Sequence, residues 1–145
     1  MENKDNNSSN IIFITGGTKS GKSEFAEYLG RKIKKITYIA LSDSRPDDIN
    51  WQNKILQHRN RRPKEWGLVE TNNLINTLKN ENGPILIDSI GGFIMESINK
   101  NDEEWEKMIN TLLDLLVMRF KTTIIVGEQV GWSLVSEYEL SLIHI

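Results

Sequence analysis

The most constraining feature of this sequence is the stretch Gly-Gly-Thr-Lys-Ser-Gly-Lys-Ser at residues 16–23, which follows an apolar run at residues 11–14. It matches the pattern G-x-x-x-x-G-K-[ST], in which glycines let backbone N–H groups point inward around phosphate oxygens. A helix that begins at such a loop directs its positive end at the same anion. In this pattern Lys22 reaches the outer phosphates and the Ser23 hydroxyl binds Mg²⁺. The sequence therefore predicts a triphosphate site between a strand and a helix.

A P-loop also needs a carboxylate that helps to hold the metal, and this residue usually ends a neighbouring strand. Asp88 closes the apolar run at residues 85–87 and fits that description. The alternative for Asp88 is a turn or helix-capping aspartate. Glu128, which follows the apolar run at residues 122–127, is a second and weaker candidate acid.

Short β-branched runs alternate with segments of helical periodicity along the chain. Strands are predicted at residues 10–15, 36–41, 66–71, 85–88 and 122–127, and helices at 20–32, 51–60, 74–78, 91–98 and 102–120, the last with Asp102 as its N-cap. Strands that are apolar at consecutive positions are typical of a parallel sheet covered on both faces. We therefore predict an α/β fold, with a mostly parallel P-loop-type sheet flanked by helices. Ligands of such sheets bind beyond the carboxyl ends of the strands.

Length and composition narrow the remaining choices. The chain has 145 residues, enough for one domain, and its first ten are polar, so we expect a flexible tail at 1–10 and a single nucleotide-binding domain at 11–145. A net charge of -2 argues against a nucleic-acid partner, and the lack of cysteine excludes thiol chemistry and cysteine-bound zinc. Because no apolar run is long enough for a membrane span or a secretion signal, we expect a cytoplasmic protein.

The central segment WQNKILQHRNRRPKEW, residues 51–66, holds one of the two histidines, His58, followed at once by arginines. Guanidinium groups would neutralise a triphosphate and favour the unprotonated imidazole, which could then attack a phosphate. The residues alone equally allow a solvated helix end, where cations suit the helix dipole. Metal ligation is disfavoured because no cysteine or second nearby histidine could complete a site.

Five segments in order, ITGGTKSGKS, TYIA, WQNKILQHRNRRPKEW, ILIDSIGG and VGEQVGW, resemble the bifunctional adenosylcobinamide kinase/adenosylcobinamide-phosphate guanylyltransferase (CobU) family of cobalamin biosynthesis. The resemblance runs from about residue 11 to residue 138, and the His-Arg-x-Arg-Arg-Pro-x-x-Trp block is its most discriminating part. It implies a P-loop-like enzyme, commonly a trimer. This enzyme first phosphorylates the hydroxyl of adenosylcobinamide. It then passes GMP from GTP, through a histidine matching His58, to adenosylcobinamide phosphate.

The resemblance also implies the site. The expected catalytic residues are His58 and Lys22, and Ser23 and Asp88 are the expected Mg²⁺ ligands. Nucleotide contacts are expected from Gly16, Gly17, Thr18, Lys19, Ser20, Gly21, Lys22, Ser23, Ala40, Leu41, Ser42, Arg59, Asn60, Arg61, Arg62, Glu70 and Asp88. The implied partners are adenosylcobinamide with GTP or ATP, and further copies of the chain in a homotrimer.

The chain departs from the family pattern in several places. Lys19 stands where the family usually has Arg, and Gln129 replaces a usual Glu. Family members also continue past residues 141–145 with an Arg-containing helix and at least one strand, so we expect the sheet to lack those final elements. Two alternatives stay open: a simple small-molecule P-loop kinase in which His58 is structural, and a nucleotide-binding protein without turnover.

Overall fold

A computed structural model describes residues 10–17, 19–41, 49–50, 53, 56, 60, 62–96, 99–127 and 141–144, with the backbone alone described for residues 94–96 and 141–144. The strands are β1 (Ile11–Thr15), β2 (Thr37–Leu41), β3 (Gly67–Thr71), β4 (Ile85–Asp88), β5 (Thr123–Gly127) and β6 (Ser141–His144). Four helices have both ends in the described part: α1 (Lys22–Gly30), α2 (Leu74–Asn80), α3 (Gly91–Glu96) and α4 (Asp102–Val117). The strands form one sheet in the order β3-β2-β4-β5-β1-β6. Every paired strand is parallel, which confirms the predicted fold class.

The five predicted strands all form, each within one residue of its expected bounds. In the predicted helix at residues 51–60, the described residues Asn53, Leu56 and Asn60 are helical. Strand β6, which pairs with β1 at the sheet edge, was not predicted from the sequence. Its four residues include only two apolar ones, so no local periodicity identifies the strand, and its hydrogen-bond partners come from the far end of the chain.

Two apolar clusters lie on opposite faces of the sheet. One contains Phe13 and Ile87 with Leu112 and Leu116 of α4. The other contains Ile14, Tyr38, Leu86, Ile124, Val126 and, from α1, Ala26. Because successive strand residues point to opposite faces, a strand covered on both sides must be apolar at every position. This double burial explains the uninterrupted apolar runs of the sequence.

The start of α4 differs from the prediction. Asn101, not Asp102, is the N-cap: its side chain accepts a hydrogen bond from the Glu104 N–H at 2.8 Å, and the Glu104 carboxylate accepts one from the Asn101 N–H at 3.2 Å. Had Asp102 been the cap, Trp105 would occupy the position from which a side chain must return this bond, and indole lacks an acceptor. No helix in the described part of the chain, including the 16-residue α4, is long and apolar enough to cross a membrane.

Arg119 fixes the amino ends of the two central strands. It donates hydrogen bonds to the carbonyl oxygens of Glu81 and Gly83, ahead of β4, and to Thr123 Oγ1 of β5 at 3.2 Å. Burial lowers the pKa of its guanidinium, and the Glu81 carboxylate partly opposes that effect. This contact ties the end of α4 to both strands, and so fixes the position from which β4 runs towards Asp88.

Candidate phosphate-binding site

The glycine-rich loop leaves the carboxyl end of β1 and enters α1 at Gly21. Gly21 is the N-cap of the helix, and its φ of +91° lies in the left-handed region that glycine adopts without steric cost. No side chain hydrogen bonds to the start of α1 as a cap within the described residues. The N–H groups in the first turn of a helix have no partner within the helix itself, and they are the groups that an anion seated in such a loop would bind.

Three side chains in and next to the loop have buried polar groups or are themselves buried. Lys22 is 9% exposed, and its ammonium donates a hydrogen bond to the carbonyl oxygen of Gly17 at 2.9 Å. Thr15 Oγ1 and Ser20 Oγ are buried and find no hydrogen-bond partner in the described part of the chain. Because buried hydroxyls are normally paired, two that find no partner among the described residues, in and next to a phosphate-loop sequence, favour a polar ligand there.

Asp88 lies at the carboxyl end of β4. We expected this carboxylate on a strand next to β1, but β4 and β1 are not neighbours in the sheet. Strand β5 lies between them, so Asp88 is two strand spacings, about 10 Å, from β1 across the sheet. The sequence could not show this, because strand order depends on pairing between distant segments. The ladder register nevertheless puts Asp88 level with Val126, and Val126 level with Ile14, one residue before the end of β1.

The carboxylate of Asp88 is held by Tyr38. The Tyr38 hydroxyl donates to Asp88 Oδ2 at 2.8 Å, and no other hydrogen bond to this carboxylate is found in the described part of the chain. Burial raises the pKa of the Tyr38 phenol well above its usual range, and the negative charge of Asp88 and the hydrogen bond raise it further. The phenol therefore remains a donor throughout the physiological pH range, and it fixes one oxygen of the carboxylate.

Arg62 lies inside the molecule against the same tyrosine. Its guanidinium carbon is 3.7 Å from the centre of the Tyr38 ring, and Nη1 is 3.9 Å from Glu27 Oε2 of α1. The side chains of Arg62 and Glu27 are 6% and 1% exposed. We predicted a nucleotide contact for Arg62; in this structure its guanidinium is engaged by internal partners.

The other predicted residues divide into those that the structure brings together and those that it does not describe. Ala40 of β2 lies level with Glu70 on one side and Asp88 on the other, and Leu41 ends the same strand. Glu70 and Asn60 are exposed, and Ser23 is partly buried at the start of α1. The predicted residues outside the described part of the chain are Thr18, Ser42, His58, Arg59, Arg61 and Glu128.

The residues proposed for Mg²⁺ fit that ion chemically. Mg²⁺ prefers oxygen ligands and is usually held by one or two carboxylates together with substrate phosphates. Asp88 and Ser23 supply a carboxylate and a hydroxyl. The described residues contain no group of three or more His, Cys, Asp or Glu side chains that could hold a metal ion. A carboxylate and a hydroxyl of this kind could serve a Mg²⁺ ion whose other ligands are triphosphate oxygens.

A parallel α/β sheet with a glycine-rich loop between its first strand and first helix defines a P-loop-type domain. The family model described as cobinamide kinase / cobinamide phosphate guanyltransferase matches residues 12–144, and the chain belongs to this family. Its relatives include the bifunctional adenosylcobalamin biosynthesis protein CobU of Escherichia coli (strain K12), which is 28% identical over 149 residues, covering 90% of this chain and 81% of that protein. The protein of the same description from Salmonella typhimurium (strain LT2) is 27% identical with the same coverage. Membership confirms the predicted family and supports an enzyme of cobalamin biosynthesis that acts on small molecules.

Proposed function

We propose that this protein phosphorylates adenosylcobinamide and then transfers GMP from GTP to adenosylcobinamide phosphate through a guanylyl-histidine at His58. The observation that carries the proposal is the loop of residues 16–23, which joins β1 to a helix start for which the described residues provide no side-chain cap, in a chain of the cobinamide kinase/guanyltransferase family. The family supports both reactions. The uncapped helix start supports the binding of the triphosphate that both reactions need.

In the phosphorylation step the protein's task is to hold and neutralise the γ-phosphate. Lys22 exchanges its bond to the Gly17 carbonyl for phosphate oxygens, and the N–H groups around Gly21 bind the remaining oxygens. Ser23 and Asp88 would hold Mg²⁺, which supplies charge neutralisation on the triphosphate when bound. The hydroxyl oxygen of adenosylcobinamide attacks the γ-phosphorus, the bond to the oxygen that bridges the β- and γ-phosphates breaks, the nucleoside diphosphate leaves, and the hydroxyl proton passes to solvent.

In the second reaction the His58 imidazole attacks the α-phosphorus of GTP. A P–N bond forms, the bond to the oxygen that bridges the α- and β-phosphates breaks, and pyrophosphate leaves. A phosphate oxygen of adenosylcobinamide phosphate then attacks the same phosphorus and releases the imidazole. One difficult displacement is thus divided into two easier ones. We also propose nucleotide contacts from Ala40, Leu41, Ser42, Arg59, Asn60, Arg61 and Glu70, and a guanine-binding role for the Glu70 carboxylate.

Intact-protein mass spectrometry after incubation with GTP and Mg²⁺ tests the transferase step. We expect one GMP adduct that survives base, is lost in acid and does not form in His58→Ala. The matched control is His144→Ala, because His144 is the other histidine and its backbone pairs with Thr15 beside the loop. Labelling that persists in His58→Ala but disappears in His144→Ala would reject the assignment of His58.

The two alternative functions predict different results in the same preparation. A simple P-loop kinase would transfer the γ-phosphate to adenosylcobinamide without a covalent nucleotide. A nucleotide-binding protein without turnover would be stabilised by GTP against heat and give neither product. Running the kinase reaction with ATP and with GTP identifies the phosphate donor, and the size of the protein in solution tests the proposed homotrimer.

A further inference from the structure

Four polar side chains from separate parts of the chain form a continuous row that ends at the proposed metal ligand. Glu27 of α1 faces Arg62, Arg62 lies over the ring of Tyr38, and the Tyr38 hydroxyl donates a hydrogen bond to Asp88. The successive distances are 3.9 Å, 3.7 Å and 2.8 Å. The row therefore connects the helix that follows the phosphate loop to the carboxylate at the end of β4.

Stability alone is a poor explanation for this row. Arg62 and Glu27 are almost fully buried, and desolvating two opposite charges commonly costs as much as their attraction returns. At 3.9 Å the pair is too long for a hydrogen bond, and Arg62 Nη1 has no hydrogen-bond partner in the described part of the chain. Well-packed apolar residues would fill the same space at no such cost. A role in orienting the site accounts for the charges better.

We propose that Tyr38 and Arg62 are positioning residues that hold the Asp88 carboxylate in the orientation required for the metal–triphosphate complex. This inference rests on the proposed function, because it assigns a partner to the ligand named there. The Tyr38 hydroxyl donates a hydrogen bond to Oδ2 and leaves Oδ1 for another partner, while the Arg62 guanidinium packs against the Tyr38 ring and restricts where that ring, and so its hydroxyl, can lie. Partners of this kind commonly change metal affinity 10- to 100-fold when they are removed.

Binding of a fluorescent GTP analogue, titrated with Mg²⁺ and repeated in EDTA, tests the proposal without any turnover. In Tyr38→Phe the ring and its packing stay, and only the hydroxyl is lost. We expect the Mg²⁺ concentration for half-maximal tightening to rise roughly tenfold, with affinity in EDTA little changed. The control is Tyr28→Phe, at a tyrosine that is 50% exposed on α1, which should change none of these values.

Arg62→Lys keeps the charge but loses the planar group over the ring. If Arg62 acts through Tyr38, the double variant should need no more Mg²⁺ than Tyr38→Phe alone, because coupled effects do not add. Arg62→Lys also carries the test if Tyr38→Phe fails to fold. A Tyr38→Phe protein with unchanged Mg²⁺ dependence would overturn the inference, and weaker binding of Arg62→Lys in EDTA would show that Arg62 contacts the nucleotide directly.

Failure of the proposed function gives a different result. If the unaltered protein does not bind the analogue, the triphosphate site itself is wrong. If it binds GTP in a Mg²⁺-dependent way but forms no GMP adduct, the guanylyl transfer fails. In that second case the shift in Tyr38→Phe would still establish the positioning role.

Discussion

Two helices of this protein, α1 and α4, begin in opposite ways although both run back along a parallel sheet. The start of α4 is closed by its own side chains, because Asn101 and Glu104 satisfy two N–H groups and three acidic residues occupy its first turn. The start of α1 has a glycine cap in the left-handed region, no side-chain cap and Lys22 as its first residue. A helix end that the chain itself closes serves stability. A helix start with a glycine cap and, among the described residues, no side-chain cap suits a ligand better than it suits stability.

The largest effect is expected where the anion site loses its charge. Lys22→Ala should weaken binding of a fluorescent GTP analogue roughly 100-fold, about 2.7 kcal/mol, because charge-assisted bonds to phosphate are lost. The unfolding temperature without nucleotide should change little. Lys32→Ala is the control, since that lysine lies over the Tyr28 ring just beyond α1, away from the loop. Equal losses in the two variants would mean that general charge, not the loop, attracts the nucleotide.

The second prediction compares two glycines of the loop that both have room for a Cβ but differ in backbone conformation. A Cβ at Gly21 would have room, since its nearest neighbour is Glu24 Oε2 at 3.7 Å, but the φ of +91° should cost alanine about 1–2 kcal/mol. Gly21→Ala should therefore unfold several degrees lower and bind GTP more weakly. Gly17→Ala is the matched change, because its Cβ would meet nothing within 4 Å and its φ is not left-handed. Calorimetry should show no loss of stability there.

These loop residues could be predicted because their constraints are local. The pattern at residues 16–23 and the apolar run before it lie in one stretch, so their geometry follows from neighbours in sequence. The Tyr38–Asp88 bond joins residues 50 apart, and the insertion of β5 between β1 and β4 depends on which distant strands pair. No local pattern encodes either. The predicted N-cap of α4 was wrong by one residue, because Asn101 and Asp102 are adjacent and both residue types are favourable caps.

The corrected cap gives the third prediction. Asn101→Ala should lower the free energy of unfolding by about 1 kcal/mol, because it leaves N–H groups of α4 unsatisfied. Asp102→Ala should cost less, about 0.3–0.5 kcal/mol, since that carboxylate only complements the helix dipole. Denaturant titration of both variants measures the difference. If Asp102→Ala lost more unfolding free energy than Asn101→Ala, Asp102 would be the N-cap after all. GTP affinity should stay unchanged in both variants.

The smallest effects are expected when one glutamate in the first turn of each helix is replaced by glutamine. The change should lower stability at α4 and tighten GTP binding at α1. Glu24 occupies the first turn of α1, with its carboxylate close to the loop at Gly21, and Glu103 occupies the first turn of α4. Glu103→Gln should cost a few tenths of a kcal/mol of stability and leave GTP binding unchanged. Glu24→Gln removes a negative charge that repels the triphosphate. We expect about two- to threefold tighter binding in about 0.01 M salt and no gain in about 1 M salt, where the screening length falls from about 30 to 3 Å. A gain that persists at high salt would require a cause other than charge repulsion, and the contrast between the two helix starts would then not be electrostatic.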